Sequence, residues 1–244
     1  MKLKDTDPTR LVADSIKAGK PFVFVSINYR LNIFSFGDGG ETNLAIKDQR
    51  LGLEWVREYI SAFGGNKNEI TLAGESAGAV YVHAHLITGP PVKRAVLASG
   101  SLYLSSPLPV ERGAGLIKAL QTKVQDYGQS SLREASVQSL LQALKESNVN
   151  TMWIQECDEL KGWETRVEQA DEVMIGDVEY EVGILLLIMT CTYQCSPSSG
   201  ETESRLLTDK PSLRPSSKTR PGAQNYVKCT MLSLIVRLHA NSGH

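Results

Sequence analysis

The residues with the strongest chemical potential lie between Phe63 and Ile87, where Gly74-Glu75-Ser76-Ala77-Gly78 forms a G-x-S-x-G pentad. Ile70, Thr71 and Leu72 lead into it as a strand, and Ala79 to Ile87 is apolar enough to continue as a helix. A serine at such a strand-to-helix turn is held in a strained backbone conformation, and only small neighbours let the two arms approach. Gly74 and Gly78 supply that room. The helix that starts at Ser76 aims its first unbonded N–H groups at the serine, so an anion forming there meets donors and a positive dipole end. The N–H of Ala77 is the expected oxyanion donor. The chemistry this arrangement serves is nucleophilic acyl transfer.

Acyl transfer also needs a base in hydrogen-bond reach of the hydroxyl and an acid that orients the base. Four histidines are present. His83 and His85 fall on the helix after Ser76, about 10 Å or more along its axis, and read as structural. His239 follows a strand-like run, Met231 to Leu238, and His244 is the last residue. For the acid, Glu172 to Glu181 reads as a strand followed by an acidic turn in which chemistry alone would accept Asp177, Glu179 or Glu181. Glu75, beside the serine, reads equally as an electrostatic tuner or as a buried structural carboxylate. Arg30 and Asp48 read as a structural ion pair, and Ser99 as a packing hydroxyl at a strand end.

The elements needed to position these groups follow in order. Asp7 ahead of Pro8 and Gly19 ahead of Pro21 bound a helix over 8–18. Pro21 to Asn28 is a continuous apolar run, as a strand buried on both faces requires. A helix is expected from about Asn43 to Phe63, with Leu44, Leu51, Trp55, Val56, Tyr59 and Ile60 as its apolar stripe and Gly64 and Gly65 as its stop. Arg94 to Ser99 is a third short strand. Strands alternating with helices predict a parallel sheet with the site at the carboxyl ends of its strands, where Ser76 sits. From Pro109 to Asn148 the pattern is helical throughout: Leu116, Leu120, Val124 and Tyr127 keep helical spacing, and Ser131 with Glu134 forms a capping box ahead of Val137, Leu140, Leu141 and Leu144.

These segments resemble the type-B carboxylesterase family, which includes the cholinesterases and some fungal lipases. Phe63-Gly64-Gly65, then Ile70-x-Leu72-x-Gly74-x-Ser76-Ala77-Gly78, is similar to the family's serine signature. Asn28-Tyr29-Arg30-Leu31-Asn32 with Phe34-Ser35-Phe36-Gly37 resembles its NYRL segment, Asp48-Gln49-Arg50 through Trp55-Val56 its DQ helix, and Ala98-Ser99-Gly100-Ser101 the end of its next strand. The resemblance implies an α/β-hydrolase fold: a mostly parallel sheet with flanking helices, and an acyl-enzyme mechanism through Ser76 on a small-molecule ester, without cofactor or metal. It implies that Glu181 is the triad acid, with Gly176 matching the glycine of the family's G-x-x-x-x-E arrangement, and that the helical stretch 109–148 shapes the pockets. Chain order then places the base after Glu181, at His239 or His244, although Ala-Asn-Ser-Gly after His239 does not resemble the family's histidine loop.

The resemblance runs over residues 1–181, a partial hydrolase domain. Residues 182–244 read as an unrelated, largely disordered tail, because 190–226 is rich in Ser, Thr, Pro and charge. Nothing before Pro21 resembles the family's glycine-rich oxyanion loop, and one early family strand belongs between the Pro21 strand and the Ser76 strand, so the sheet is expected to carry a gap there or to close across it, exposing apolar faces. The expectation is a middle portion of such an enzyme, and an inactive esterase-like fragment or interaction module is the alternative.

The chain has 244 residues, 41% of them hydrophobic, and a net charge of −1. That balance favours neither nucleic acid nor an anionic membrane as partner. MKLKDTDPTR has no apolar stretch behind its lysines and does not read as a secretory signal; the compartment and the oligomeric state are not legible. Val182 to Met189 is too short to span a bilayer. Cys157, Cys191, Cys195 and Cys229 lack zinc-site spacing.

Overall fold

The computed structural model describes residues 7–37, 40–147, 154–166, 169–177 and 232–238, the last as backbone with the side chains of Ile235 and Val236. In chain order these are α1 Thr9–Lys17, β1 Phe22–Ile27, α2 Ile33–Phe36, α3 Leu44–Tyr59, β2 Gly65–Glu75, α4 Ala77–Thr88, β3 Val92–Ala98, α5 Val110–Asp126, α6 Val137–Glu146, β4 Ala170–Gly176 and β5 Leu232–Leu238. A 3-10 turn, Ile60–Phe63, extends α3 and stops at Gly64, whose φ of 81° only glycine adopts without strain.

The five strands form one sheet in the order β1-β5-β2-β3-β4. β2, β3 and β4 pair in parallel, while β5 pairs antiparallel to both β1 and β2. The gap expected between β1 and β2 is therefore filled by a strand from the far end of the sequence. Its register sets Val236 opposite both Val23 and Ile70.

The core forms where this sheet meets α3 and α4. Leu53, Val56 and Ile60 of the α3 arm, Val82 and Leu86 of α4, and Ile70, Leu72, Ala95, Leu97 and Val236 of the sheet pack as one cluster. Helix α4 is buried from Gly78 to Ile87 on all sides, because α3 and the 154–160 segment cover what the sheet leaves: Ala45, Ile46, Val80, Ala84, Ile87, Leu102, Ile154 and Leu160 make a second cluster. Asn43 ties these layers together. Its Oδ1 accepts from the Gln155 N–H (2.8 Å) and its Nδ2 donates to the Gln155 carbonyl (2.9 Å), as a strand neighbour would.

Three local expectations need correction. β1 is only half-buried, not buried on both faces, because it lies at the sheet edge. The Ser131–Glu134 pair closes a separate turn, with the Glu134 N–H donating to Ser131 Oγ (3.3 Å), whereas α6 is capped by Ser136, whose Oγ accepts from Ser139 N–H (3.1 Å). On α3, Val56 and Ile60 do face the core, but Leu51, Trp55 and Tyr59 are 65%, 48% and 45% exposed. Gly52 sits against Ile27, where an added Cβ would come within 2.8 Å, so the Leu53–Val56 side turns inward and the Trp55 side outward.

Among the described residues, no helix is long and apolar enough to cross a membrane.

Candidate active site

Ser76 is the single residue between β2 and α4, exposed, with φ 54° and ψ −120°. For a residue with a Cβ this is a strained conformation that persists only where its surroundings impose it. Here they do. The Ser76 N–H donates to the Ala98 carbonyl at the end of β3 (2.8 Å), and the Ser76 carbonyl accepts from the Ala79 and Val80 N–H groups at 2.9 and 3.2 Å.

Two glycines make the turn sterically possible. A Cβ at Gly74 would stand 2.3 Å from the Gly78 carbonyl carbon and oxygen, and one at Gly100 would stand 2.3 Å from the Ser76 carbonyl oxygen. Gly78 is buried beneath the serine. The first intrahelical donors of α4 are Ala79 and Val80, which leaves the N–H groups of Ala77 and Gly78 at the helix start as open donors beside Ser76.

The carboxyl-end rim is shared by three strands. β2 ends at Glu75, β3 at Ala98 opposite it, and β4 at Gly176 opposite Ala98. The Ser99 N–H donates to the Gly176 carbonyl (2.8 Å), with Ser99 itself at φ 57°. Asp177, which follows β4, thus lies at the same rim as Ser76. Glu179 and Glu181 lie outside the described residues. Glu75 is exposed, so the buried structural role considered for it does not apply.

The two histidines of α4 are committed to the interior. His83 is 4% exposed, its Nδ1 accepts from the Leu102 N–H (3.1 Å), and its ring lies near Tyr103 and Trp163. His85 is 2% exposed and its Nε2 meets Gln49 Oε1 at 2.9 Å. Burial, helped by the positive charge of Arg50, pushes the His85 pKa down to about 4.

This position has a pH consequence. The folded state holds His85 neutral, while the unfolded chain takes up its proton near pH 6.5. The contribution is complete above about pH 6.5 and is lost as pH falls toward 4, by about 3 kcal/mol in all. We expect His85→Gln, which keeps a partner for Gln49, to flatten the acid limb of a melting-temperature profile between those pH values. An unchanged limb would contradict a neutral, buried His85.

His239 directly follows Leu238 in the chain and lies outside the described residues, as does His244. Leu238 pairs with Gly65, whereas Leu232, at the other end of β5, pairs with Gly74. At about 3.4 Å per residue, the end of β5 that leads to His239 is about 20 Å along the sheet from the Ser76 rim. Chain order alone gave no sign of this, because the antiparallel sense of β5 is not written in its composition.

Arg30 and Asp48 form the expected ion pair with bidentate geometry, Nε to Oδ2 and Nη2 to Oδ1, each 2.7 Å. A further bond from the Arg30 N–H to Oδ2 (3.1 Å) ties the segment after β1 to α3. Hydrogen bonding from Arg30 holds the Asp48 carboxyl below its ordinary range. Cys157 is a free, half-buried thiol. Among the described residues, no group of three or more potential metal ligands converges.

The chain is similar to known esterases and lipases. A model described as "Carboxylesterase family" matches residues 4–189. Lipase 3 of Yarrowia lipolytica is 34% identical over 187 residues, covering 72% of this chain and 37% of the relative. Lipase 5 of Diutina rugosa is 35% identical over 159 residues, covering 57% and 29%. The "Inactive carboxylesterase-like protein VdtD" of Byssochlamys spectabilis is 45% identical over 103 residues, covering 39% and 18%. Among solved structures, a PNB esterase matches with a TM-score of 0.47 at 26% identity, over 62% of this chain and 37% of its own. The chain spans less than two fifths of the length of each of these curated relatives.

Proposed function

The chain belongs to the carboxylesterase family, and from that premise we propose that it is a serine-type carboxylic ester hydrolase lineage member in which Ser76 accepts the acyl group. The observation that carries this is the backbone of Ser76, held at φ 54° and ψ −120° between β2 and α4 with its side chain exposed. A strained, exposed serine between a strand and a helix is the arrangement that a nucleophile elbow uses.

In the proposed acylation, Ser76 Oγ attacks the ester carbonyl carbon and the oxyanion faces the Ala77 N–H. The carbon–oxygen bond to the alcohol then breaks, and the hydroxyl proton leaves with the alcohol. Water reverses the sequence to release the acid. Glu181 is the proposed acid, supported by β4 ending at the Ser76 rim. The proposed base is a histidine other than His83 and His85, which lie buried in the core.

A second reading is an esterase-like protein without turnover. The engagement of both described histidines in the core supports it, as does the similarity to a relative whose name calls it inactive.

Incubation with a fluorophosphonate followed by intact-mass measurement tests the proposal. One adduct per chain, absent in Ser76→Ala, is the expected result. A folded wild-type chain that takes no adduct contradicts it.

A further inference from the structure

The segment that leaves β3 lies along one row of α4. Ser76 at the start of that helix, Ala79 and His83 recur at three- and four-residue steps and so share a side of it. Gly100 packs at the lower end of the row, where an added Cβ would stand 2.3 Å from the Ser76 carbonyl oxygen and 3.1 Å from the Ala79 Cβ. Two residues further on, the Leu102 N–H donates to His83 Nδ1 at 3.1 Å. Ala79 to His83 is four residues, about 6 Å along the helix, and two residues of nearly extended chain span about the same distance. The segment is also pinned where it begins: Ser99 turns the chain at a φ of 57°, and its N–H donates to the Gly176 carbonyl (2.8 Å).

Packing alone does not call for a histidine at position 83. Its neighbours Val82, Ala84, Leu86 and Ile87 are apolar and equally buried. Leu102, however, is 0% exposed, so its N–H cannot turn to water and needs an acceptor in the interior. His83 supplies that acceptor. The Tyr103 ring, 5.7 Å away, and the Trp163 ring, edge-on at 6.2 Å, wall the imidazole, and the Tyr103 hydroxyl donates to the Glu164 carbonyl (3.0 Å).

We propose that His83 is a positioning residue for Ser76, acting through residues 99–102, a role that rests on the reading of Ser76 as the acyl acceptor. By fixing Leu102 it keeps Gly100 against the Ser76 carbonyl, and a φ of 54° at Ser76 persists only while its surroundings impose it. Without the acceptor the Leu102 N–H is stranded in the core, and the segment shifts to find it a partner. The contact of Gly100 with the Ser76 carbonyl then loosens, and Oγ leaves the position that the turn imposes.

Two substitutions separate this role from packing. His83→Leu keeps the volume and removes the acceptor, whereas His83→Asn loses volume but keeps an acceptor, because its Oδ1 stands one bond from Cγ as Nδ1 does. Packing ranks the leucine variant as the milder of the two. Positioning ranks it as the worse. The first readout is amide hydrogen exchange of the full chain, resolved by NMR. In His83→Leu the Ser76 and Ser99 N–H groups should exchange about tenfold or more faster than in wild type, those of Leu53 and Val56 in α3 should stay within about twofold, and His83→Asn should restore the slow exchange. The second readout is fluorophosphonate labelling: His83→Leu should lower the limiting rate about 100-fold with the half-saturating reagent concentration unchanged, and His83→Asn should stay within about threefold of wild type. Unchanged exchange at Ser76 in His83→Leu overturns the proposal, and so does a ranking in which His83→Asn is the worse variant. Wild-type spectra should show a coupling across the hydrogen bond from the Leu102 nitrogen to His83 Nδ1, and its absence overturns the proposal even if His83→Leu does not fold. Exchange and coupling are read without any label, so a wild-type chain that takes no adduct contradicts the acyl-acceptor reading and leaves these two results to decide the role of His83.

Discussion

Val236→Asp should lower stability by about 4 kcal/mol, which is about 10 °C in melting temperature for a chain of this size, or leave the protein insoluble. Val236 is fully buried, and its backbone sits opposite Val23 on one side and Ile70 on the other. A carboxylate placed there has no partner in the cluster of Leu53, Val56, Leu72 and Leu97 around it. β5 is also the only described strand that joins β1 to the rest of the sheet, so its loss exposes the ladders of two strands at once. The neighbouring Ile235 is half-buried, and Ile235→Thr should cost less than half as much. Urea unfolding of the three proteins decides the matter. Equal stabilities for Val236→Asp and wild type would mean that β5 does not complete the sheet.

Gly74→Ala should abolish at least 99% of the rate of Ser76 labelling. The added methyl would stand 2.3 Å from the Gly78 carbonyl carbon and oxygen and 2.7 Å from the Ala79 nitrogen. All three are backbone atoms at the start of a helix buried on every side, so they cannot yield as a flexible side chain would. The turn must open instead, and displacing a reacting atom by about 1 Å costs on the order of 100-fold. Overpacking of this kind also costs about 1–3 kcal/mol of stability. The check is the second-order rate constant for fluorophosphonate labelling, measured on protein shown to be folded. A rate within tenfold of wild type would mean that the turn tolerates the methyl and that its tightness is incidental.

The parts of the fold that the sequence made legible are those dictated by local chemistry. G-x-S-x-G flanked by an apolar strand and an apolar helix allows few backbone solutions, and the β2–Ser76–α4 turn follows from it. The parallel order β2-β3-β4 follows from the alternation of strands and helices. The Arg30–Asp48 pair was readable because both residues belong to segments with a recognisable family pattern.

What could not be read was decided by distant segments. The outward turn of Leu51, Trp55 and Tyr59 depends on Gly52 meeting Ile27, and helical spacing alone does not say which of two apolar arcs faces in. The half-burial of β1 depends on its place at the sheet edge. Ser131 and Ser136 both satisfy a cap pattern, and tertiary packing selects the second for α6. The position of β5 was the largest omission: Met231 to Leu238 reads as a strand, but nothing in it announces that it runs antiparallel between β1 and β2. That direction also places Leu238 at the end of the sheet opposite the Ser76 rim, which the chain order of serine, acid and histidine could not foretell.

Mixing the chain with p-nitrophenyl acetate tests Ser76 as an acyl acceptor most directly. A burst of nitrophenol approaching one equivalent per chain is expected, with the acetyl group recovered on the peptide that contains Ser76 and with neither seen for Ser76→Ala. A slow steady rate with no burst, unchanged in Ser76→Ala, would contradict it and leave the strained turn without a chemical purpose.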